Sequence, residues 1–325
     1  MFLEFFYFFI RILIIIIFIL ISVAYFTLAE RKILAIIQRR KGPNVVGIYG
    51  LLQPLADGLK LLIKEVILPS QSNFFLFIIS PLITFTLALL SWSIIPFSKY
   101  GTYIELNLGL LFILTISSAG VYGIILAGWS SNSKYSFLGA LRSTSQMICY
   151  EMALGFSLLS IVICCETFNL NEMIYFQSNL WFIIPFFPLG IMFFIIGLAE
   201  TNRHPFDLPE AEAELVSGYN TEYSGMSFAL FSLAEYSNML LMSALNTIIF
   251  FGGWLSPINI FFINYFWFGL KISVFVILYI VARAILPRYR YDQLMDLGWK
   301  IFLPLSIGYL VISFSFIYGF DLYNT

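Results

Sequence analysis

The stretch Phe5–Ala29, FFYFFIRILIIIIFILISVAYFTLA, decides the fold. It carries one charge, Arg11, in 25 residues. As a helix rising 1.5 Å per residue, a run of this length covers the roughly 30 Å hydrocarbon core of a bilayer. Its apolar residues are continuous, not alternating, which favours a helix over a barrel strand. It has neither a basic start nor a small-residue cleavage site, so a retained helix is expected, not a removable signal or transit peptide.

Similar runs recur at about 74–96, 106–129, 147–168, 180–199, 225–252, 262–284 and 300–319. The chain therefore reads as an all-α integral membrane protein of about eight transmembrane helices. A single membrane domain is expected over 1–325, since no linker or internal repeat divides it. Composition agrees: 60% of the 325 residues are hydrophobic and mean hydropathy is +0.92, more apolar surface than a soluble chain can hide.

An even number of spans puts both termini on one side and the connections 30–73, 130–146, 200–224 and 285–299 on the other. Fourteen of the 17 Lys and Arg residues lie in or beside those four connections; only Arg11, Lys99 and Lys271 do not. The positive-inside rule places the four on the cytoplasmic or matrix side. Within the first, Leu51–Leu68 (LLQPLADGLKLLIKEVIL) is too charged to span. Leu51, Leu52, Leu55, Leu59, Leu62, Ile63 and Val66 recur at helical spacing, with Asp57, Lys60 and Lys64 opposite. That pattern predicts an amphipathic helix lying in the membrane interface.

The third connection, Ala199–Gly225 (AETNRHPFDLPEAEAELVSGYNTEYSG), concentrates charge. It holds Glu200, Asp207, Glu210, Glu212, Glu214 and Glu222, six of the 18 acidic residues in a chain only 11% charged. Part of this has a structural explanation: Asp207, Pro209 and Glu210 form a capping-box pattern that starts a helix. Capping leaves the other four unexplained. Carboxylates this close repel and share protons, the behaviour of a relay. Arg203 is the one basic residue inside the connection, so local neutralisation is incomplete.

Charges also fall at membrane depth. Glu235 lies about 10 residues into its span, Lys271 near the middle of another, Glu151 about one turn into the fourth, and Glu30 at the end of the first. Burying a charge in hydrocarbon is costly, which makes Glu235 a proton- or substrate-handling candidate. Lys271 reads equally as a counter-charge, and Glu30 and Lys60 as interfacial snorkels. The run QRRKGPN (Gln38–Asn44) is either a topological anchor or a docking surface. Cys149, Cys164 and Cys165 lack the spacing of a zinc or iron–sulfur site, and the lone His204 reads as a loop residue.

Taken together, AERK (Ala29–Lys32), QRRKGPN with LLQPLADGLKLLIKE, GWSSNSKYSFLGALRSTSQMICYE, the acidic connection, LAEY (Leu233–Tyr236) and RAILPRYRYDQLMDLGWKIFLPL resemble the subunit 1 family of NADH dehydrogenase, the membrane subunit of respiratory complex I. The resemblance spans nearly the whole chain and is nearest to mitochondrially encoded forms. It implies a translocase subunit of NADH:ubiquinone reductase that forms the quinone entry chamber and starts an acidic proton path. On it, Glu30, Glu151, Glu200, Asp207, Glu210, Glu212, Glu214, Glu222 and Glu235 take the relay positions. Arg31, Arg40, Asp57, Arg142, Arg203, Tyr236 and Arg283 take positions around the quinone passage and docking face. Ubiquinone is then the substrate, while NADH, FMN and iron–sulfur clusters reside in partner subunits. The expected partners are the quinone-module iron–sulfur and 49-kDa-type subunits, neighbouring small membrane subunits and lipid, with no nucleic acid. The implied location is the mitochondrial inner membrane, termini on the intermembrane-space side.

Three other readings compete. A stand-alone ion transporter would be expected to show inverted repeats with broken helices at the midplane, and none is visible. A passive anchor leaves Glu235 and the six acids without a role. The membrane subunit of an energy-converting hydrogenase shares the motifs and differs in its electron-carrying partners.

Overall fold

The computed structural model describes residues 2–98, 101–207, 217–256 and 264–319. Among them every regular element is a helix. Eleven α-helices follow in order: α1 Phe2–Ile37, α2 Gln53–Ile63, α3 Phe74–Leu90, α4 Gly109–Ser130, α5 Lys134–Cys165, α6 Leu170–Phe176, α7 Phe187–Glu200, α8 Gly225–Phe250, α9 Asn264–Ile285, α10 Tyr291–Asp296 and α11 Leu303–Gly319. A π-helical turn, Leu297–Phe302, joins α10 to α11. Seven helical stretches are long and apolar enough to cross a membrane, and α7 is a shorter apolar helix. The expected architecture of about eight spans plus an interfacial helix is what forms.

Its boundaries differ from the apolar runs in an instructive way. The first helix continues past Ala29 to Ile37, and the fourth span begins at Lys134, not at 147. The last reaches back to Tyr291. Hydropathy falls where charge begins, but a helix stops only where its backbone hydrogen bonds stop. At α5 that place is Ser133, whose side chain accepts the backbone N–H of Ser136 at 3.4 Å. The 130–146 connection is consequently mostly helix.

The long α5 is the axis of the bundle. It packs against α4, α7 and α11, while α8 packs against α1, α3, α7 and α9. Small residues permit this closeness: a Cβ on Gly123 of α4 would stand 2.3 Å from the Thr84 methyl of α3. Hydroxyl side chains inside the spans return to their own helix, as Ser157 does to Leu154 O at 2.7 Å and Ser243 to Leu240 O at 2.6 Å, which spares them a desolvation cost.

The helix α2 buries none of its residues, and its predicted apolar face, including Leu55, Leu59 and Leu62, is exposed. That is the exposure expected of a helix meant to lie in lipid headgroups.

The shortness of α7 positions everything that follows. Its 14 residues rise about 21 Å, less than a full crossing. The chain after Glu200 therefore leaves the helix while still inside the protein. Thr201, Asn202, Arg203, Phe206 and Asp207 are all buried. Non-helical backbone at such depth survives only with its carbonyls satisfied. Gln146 of α5 does this, donating from Nε2 to both Ala199 O and Phe206 O at 2.9 Å.

Further along, Ser217–Ser224 dips back into the bundle. Tyr223 stacks on Phe77 of α3 at 4.1 Å and meets Phe231 of α8 edge-on at 5.0 Å. Its hydroxyl reaches Ser80 Oγ at 2.9 Å and Ser130 Oγ at 3.3 Å. Tyr219 is buried in the same aromatic cluster. The connection that reads as an exterior loop is thus sewn into the core at both ends.

Candidate functional site

The site begins at Glu30 on α1, which is 4% exposed. A carboxylate so placed needs partners, and three other segments supply them. Tyr236 of α8 donates its hydroxyl to Oε2 at 2.6 Å, and Arg283 of α9 donates to Oε1. Arg203, from the turn after α7, stands 3.7 Å from Oε2. Its guanidinium lies 4.3 Å over the Tyr236 ring, with Nε directed at Met239 Sδ, 3.3 Å away. Phe26 closes the cluster, edge-on to Tyr236 at 5.3 Å. Glu30 is therefore not a snorkel: α1 continues past it, and the turn after α7, α8 and α9 converge on it.

One residue before Tyr236, on another face of α8, Glu235 accepts a hydrogen bond from the Tyr219 hydroxyl at 2.7 Å. Glu235 lines a cavity of about 100 Å³ shared with Glu200, Asn202, Asn238, Ser117 and Tyr219. Both Glu200 carboxylate oxygens are buried and make no hydrogen bond among the described residues. Glu151 of α5 is near enough for its charge to repel that of Glu200. Glu151 also lines a groove of about 330 Å³ with Leu114, Ile148 and Met152. Ser117 lies close to the Glu151 carboxylate and also lines the Glu200 cavity.

Four sequence-predicted acids, Glu30, Glu235, Glu200 and Glu151, are thereby arranged from α1 across α8 and the end of α7 to α5. Each is linked to the next: Tyr236 of the Glu30 cluster adjoins Glu235, the cavity joins Glu235 to Glu200, and Ser117 borders both the Glu200 cavity and Glu151. Asp207 stands apart, buried and 3.3 Å from Arg288 Nη2. Glu222 is half-buried on the turn before α8. Glu210, Glu212 and Glu214, with the capping pattern expected of Asp207, Pro209 and Glu210, lie outside the described residues.

The predicted basic and polar positions divide in two. Arg203, Tyr236 and Arg283 are in the Glu30 cluster. Arg31 pairs with Asp57 of α2 at 2.7 Å on the exposed face, and Gln53 donates to the same Asp57 at 2.9 Å. Exposed Arg40 donates to Gln38 Oε1 at 2.8 Å. Arg142 lies over the Tyr291 ring, 5.6 Å from its centroid. Lys271 is no carboxylate's counter-charge among the described residues. Its ammonium donates to the Phe251, Gly253 and Leu255 carbonyls at 2.6, 3.0 and 2.7 Å, and sits over the Trp181 ring.

Sequence reasoning misses three groups here. Arg288 reads in the sequence only as a topological charge, and with Arg283 it supplies the neutralisation that Arg203 alone cannot. Tyr219 gives no signal beyond being an aromatic residue in a polar segment. Gln146, mid-helix, carries the backbone of the turn after α7. Beside these groups lies His204, whose pKa is lowered from 6.5 by burial first and then by the nearby Arg288 and Arg283. Tyr223 is pushed up by burial, against its hydrogen bonds with Ser130 and Ser80.

Helices of this length, around a row of carboxylates of which Glu30 and Glu200 are buried and Glu235 and Glu151 half-buried, define a polytopic membrane protein. Comparison with known proteins narrows the class. The NADH dehydrogenase family model matches residues 10–314, and the chain belongs to that family. It is 56% identical over 317 residues to NADH-ubiquinone oxidoreductase chain 1 of Cyanidium caldarium, covering 96% of this chain and 92% of that one. It is 59% identical over 297 residues to the Arabidopsis thaliana chain 1, covering 90% and 91%. It is 54% identical over 308 residues to a bacterial NADH-quinone oxidoreductase subunit, that of Pelagibacter ubique, covering 94% and 93%.

Proposed function

We propose that this chain is a membrane subunit of an NADH:quinone oxidoreductase, that it forms the passage by which ubiquinone enters, and that its row of acids couples quinone reduction to proton translocation. The observation that carries this reading is the row Glu30, Glu235, Glu200 and Glu151, with a cavity between the middle two. Relatives named for ubiquinone or quinone oxidoreduction support the substrate class.

Reducing a quinone to a quinol consumes two electrons and two protons. Electrons come from NADH through FMN and iron–sulfur clusters held by partner subunits, since the chain's three cysteines lack cluster spacing. This chain's residues manage the proton and the charge. Arg203 and Arg283 fix Glu30 and offer positive potential to a reduced headgroup; Tyr236 is a hydroxyl within reach of both. A charge change at Glu30 is felt through Tyr236 by its neighbour Glu235, and Glu235 and Glu200 exchange protons through water in their shared cavity. Glu151 passes them on toward neighbouring membrane subunits, with Asp207, Glu210, Glu212, Glu214 and Glu222 buffering protons at the matrix face. Arg31, Arg40, Asp57 and Arg142 belong to the surface on which the quinone-module subunits dock. The membrane is the mitochondrial inner membrane, with termini toward the intermembrane space.

The test is Glu235→Gln in the assembled complex. The amide keeps the shape but cannot carry a relay proton. Quinone-linked NADH oxidation and its proton yield should both fall at least tenfold, while oxidation with a hydrophilic artificial acceptor persists. An unchanged rate and an unchanged proton yield would remove Glu235 from the path.

A further inference from the structure

Gly139 of α5 and Gly218 meet backbone to backbone. A Cβ on Gly139 would stand 2.6 Å from Gly218 Cα and 2.9 Å from the Tyr219 nitrogen, so no other residue fits at 139 without moving the segment. Gly218 itself has φ of +56°, a conformation that favours glycine. This contact sets where Tyr219 leaves the backbone. Its ring packs edge-on against Phe231 at 5.4 Å, and its hydroxyl ends 2.7 Å from Glu235 Oε1 at the wall of the cavity. Nothing in the proposed relay uses Tyr219.

We propose that Tyr219, seated by the Gly139–Gly218 contact, is a positioning residue for Glu235, holding its carboxylate against the cavity wall and setting the pH at which it takes up a proton. The proposal rests on the relay reading above. A phenolic O–H given to a carboxylate favours the ionised form. Among the described residues, the other ionisable groups near Glu235 are Glu200 across the cavity, Glu151 beyond it, Tyr236 as the next residue of α8, and, in the Tyr236 cluster, Glu30 of α1 and Arg203 of the turn after α7. Removing the hydroxyl takes this hydrogen bond from Glu235. Glu235 would then protonate at higher pH, by about one unit for a hydrogen bond to a charged acceptor.

The experiment is Tyr219→Phe in the assembled complex, which keeps the ring on Phe231. The readout is infrared difference spectroscopy of the carboxylic C=O band identified by its loss in Glu235→Gln, followed against pH. The midpoint should rise by about one unit, and the pH profile of proton yield should shift with it. Gly139→Ala should reproduce the shift by displacing the 218–219 backbone. A midpoint unmoved in Tyr219→Phe overturns the proposal, whether or not Gly139→Ala assembles. Failure here is separable from failure of the relay reading: a fully active Glu235→Gln sinks the relay, while the band shift still reports the Tyr219 contact.

Discussion

Replacing Glu30 by leucine should destabilise the assembled subunit more than replacing both Glu30 and Arg203. Arg203 is buried and stands 3.7 Å from the Glu30 carboxylate. At an effective dielectric of about 20 that separation corresponds to about 4.5 kcal/mol of attraction. Desolvation of both groups offsets much of this in the intact pair. Glu30→Leu removes the attraction, while Arg203 keeps its contacts to the Tyr236 ring and Met239, so the cost should fall at or below the about 3–5 kcal/mol of broken buried pairs. Arg283 adds little to that penalty, because its side chain is 34% exposed and can turn to solvent. In Glu30→Leu/Arg203→Met both charges are gone, and roughly 2–4 kcal/mol should return as coupling between the two sites. The assay is thermal unfolding of the detergent-solubilised complex, read as retention of this subunit, for both single variants and the double. If the double variant is as unstable as the sum of the singles, the two side chains do not form the pair inferred from their geometry.

His204 should make stability depend on pH. Its folded pKa lies below the unfolded value near 6.5, so the unfolded chain binds a proton first, and stability present above pH 6.5 is lost as pH falls through that window. Melting midpoints between pH 7.5 and 5.5 should show this slope, and His204→Gln should flatten it. Lys271→Met deprives three carbonyls at the end of α8 of their donor. Hydrogen exchange of residues 251–255 should accelerate on the order of tenfold or more, the equivalent of one charged hydrogen bond; unchanged protection would mean the carbonyls are satisfied without it. Tyr223→Phe keeps the stack on Phe77 and loses the hydroxyl shared with Ser80 and Ser130. It should cost about 1 kcal/mol, measured by the same thermal assay, and a cost above about 3 kcal/mol would assign the hydroxyl more than this local role.

The sequence by itself determined the solvent, the element type and the orientation expected of the chain. Run length and continuity around Phe5–Ala29 require helices in lipid, and the basic residues clustered in four connections select a side. Both are sums over neighbours along the chain, so no partner need be known. Helix ends are less legible, because charge at Lys134 or polarity at Tyr291 lowers hydropathy without breaking the backbone ladder. The candidate acids are also legible, since a carboxylate amid apolar residues is costly wherever the chain goes. What each acid touches is not. Glu30 has the sequence of a snorkel at a helix end, and only the fold brings Arg203, Tyr236 and Arg283 to it, from positions 173 to 253 residues away. Glu235 and Glu200 share a cavity only because α7 is too short to cross and returns its chain into the core. Tyr219 reaches Glu235 only because two glycines let a connecting segment lie on α5. Pairing and burial are properties of surfaces brought together by packing, and packing is the one quantity that no local window of sequence contains.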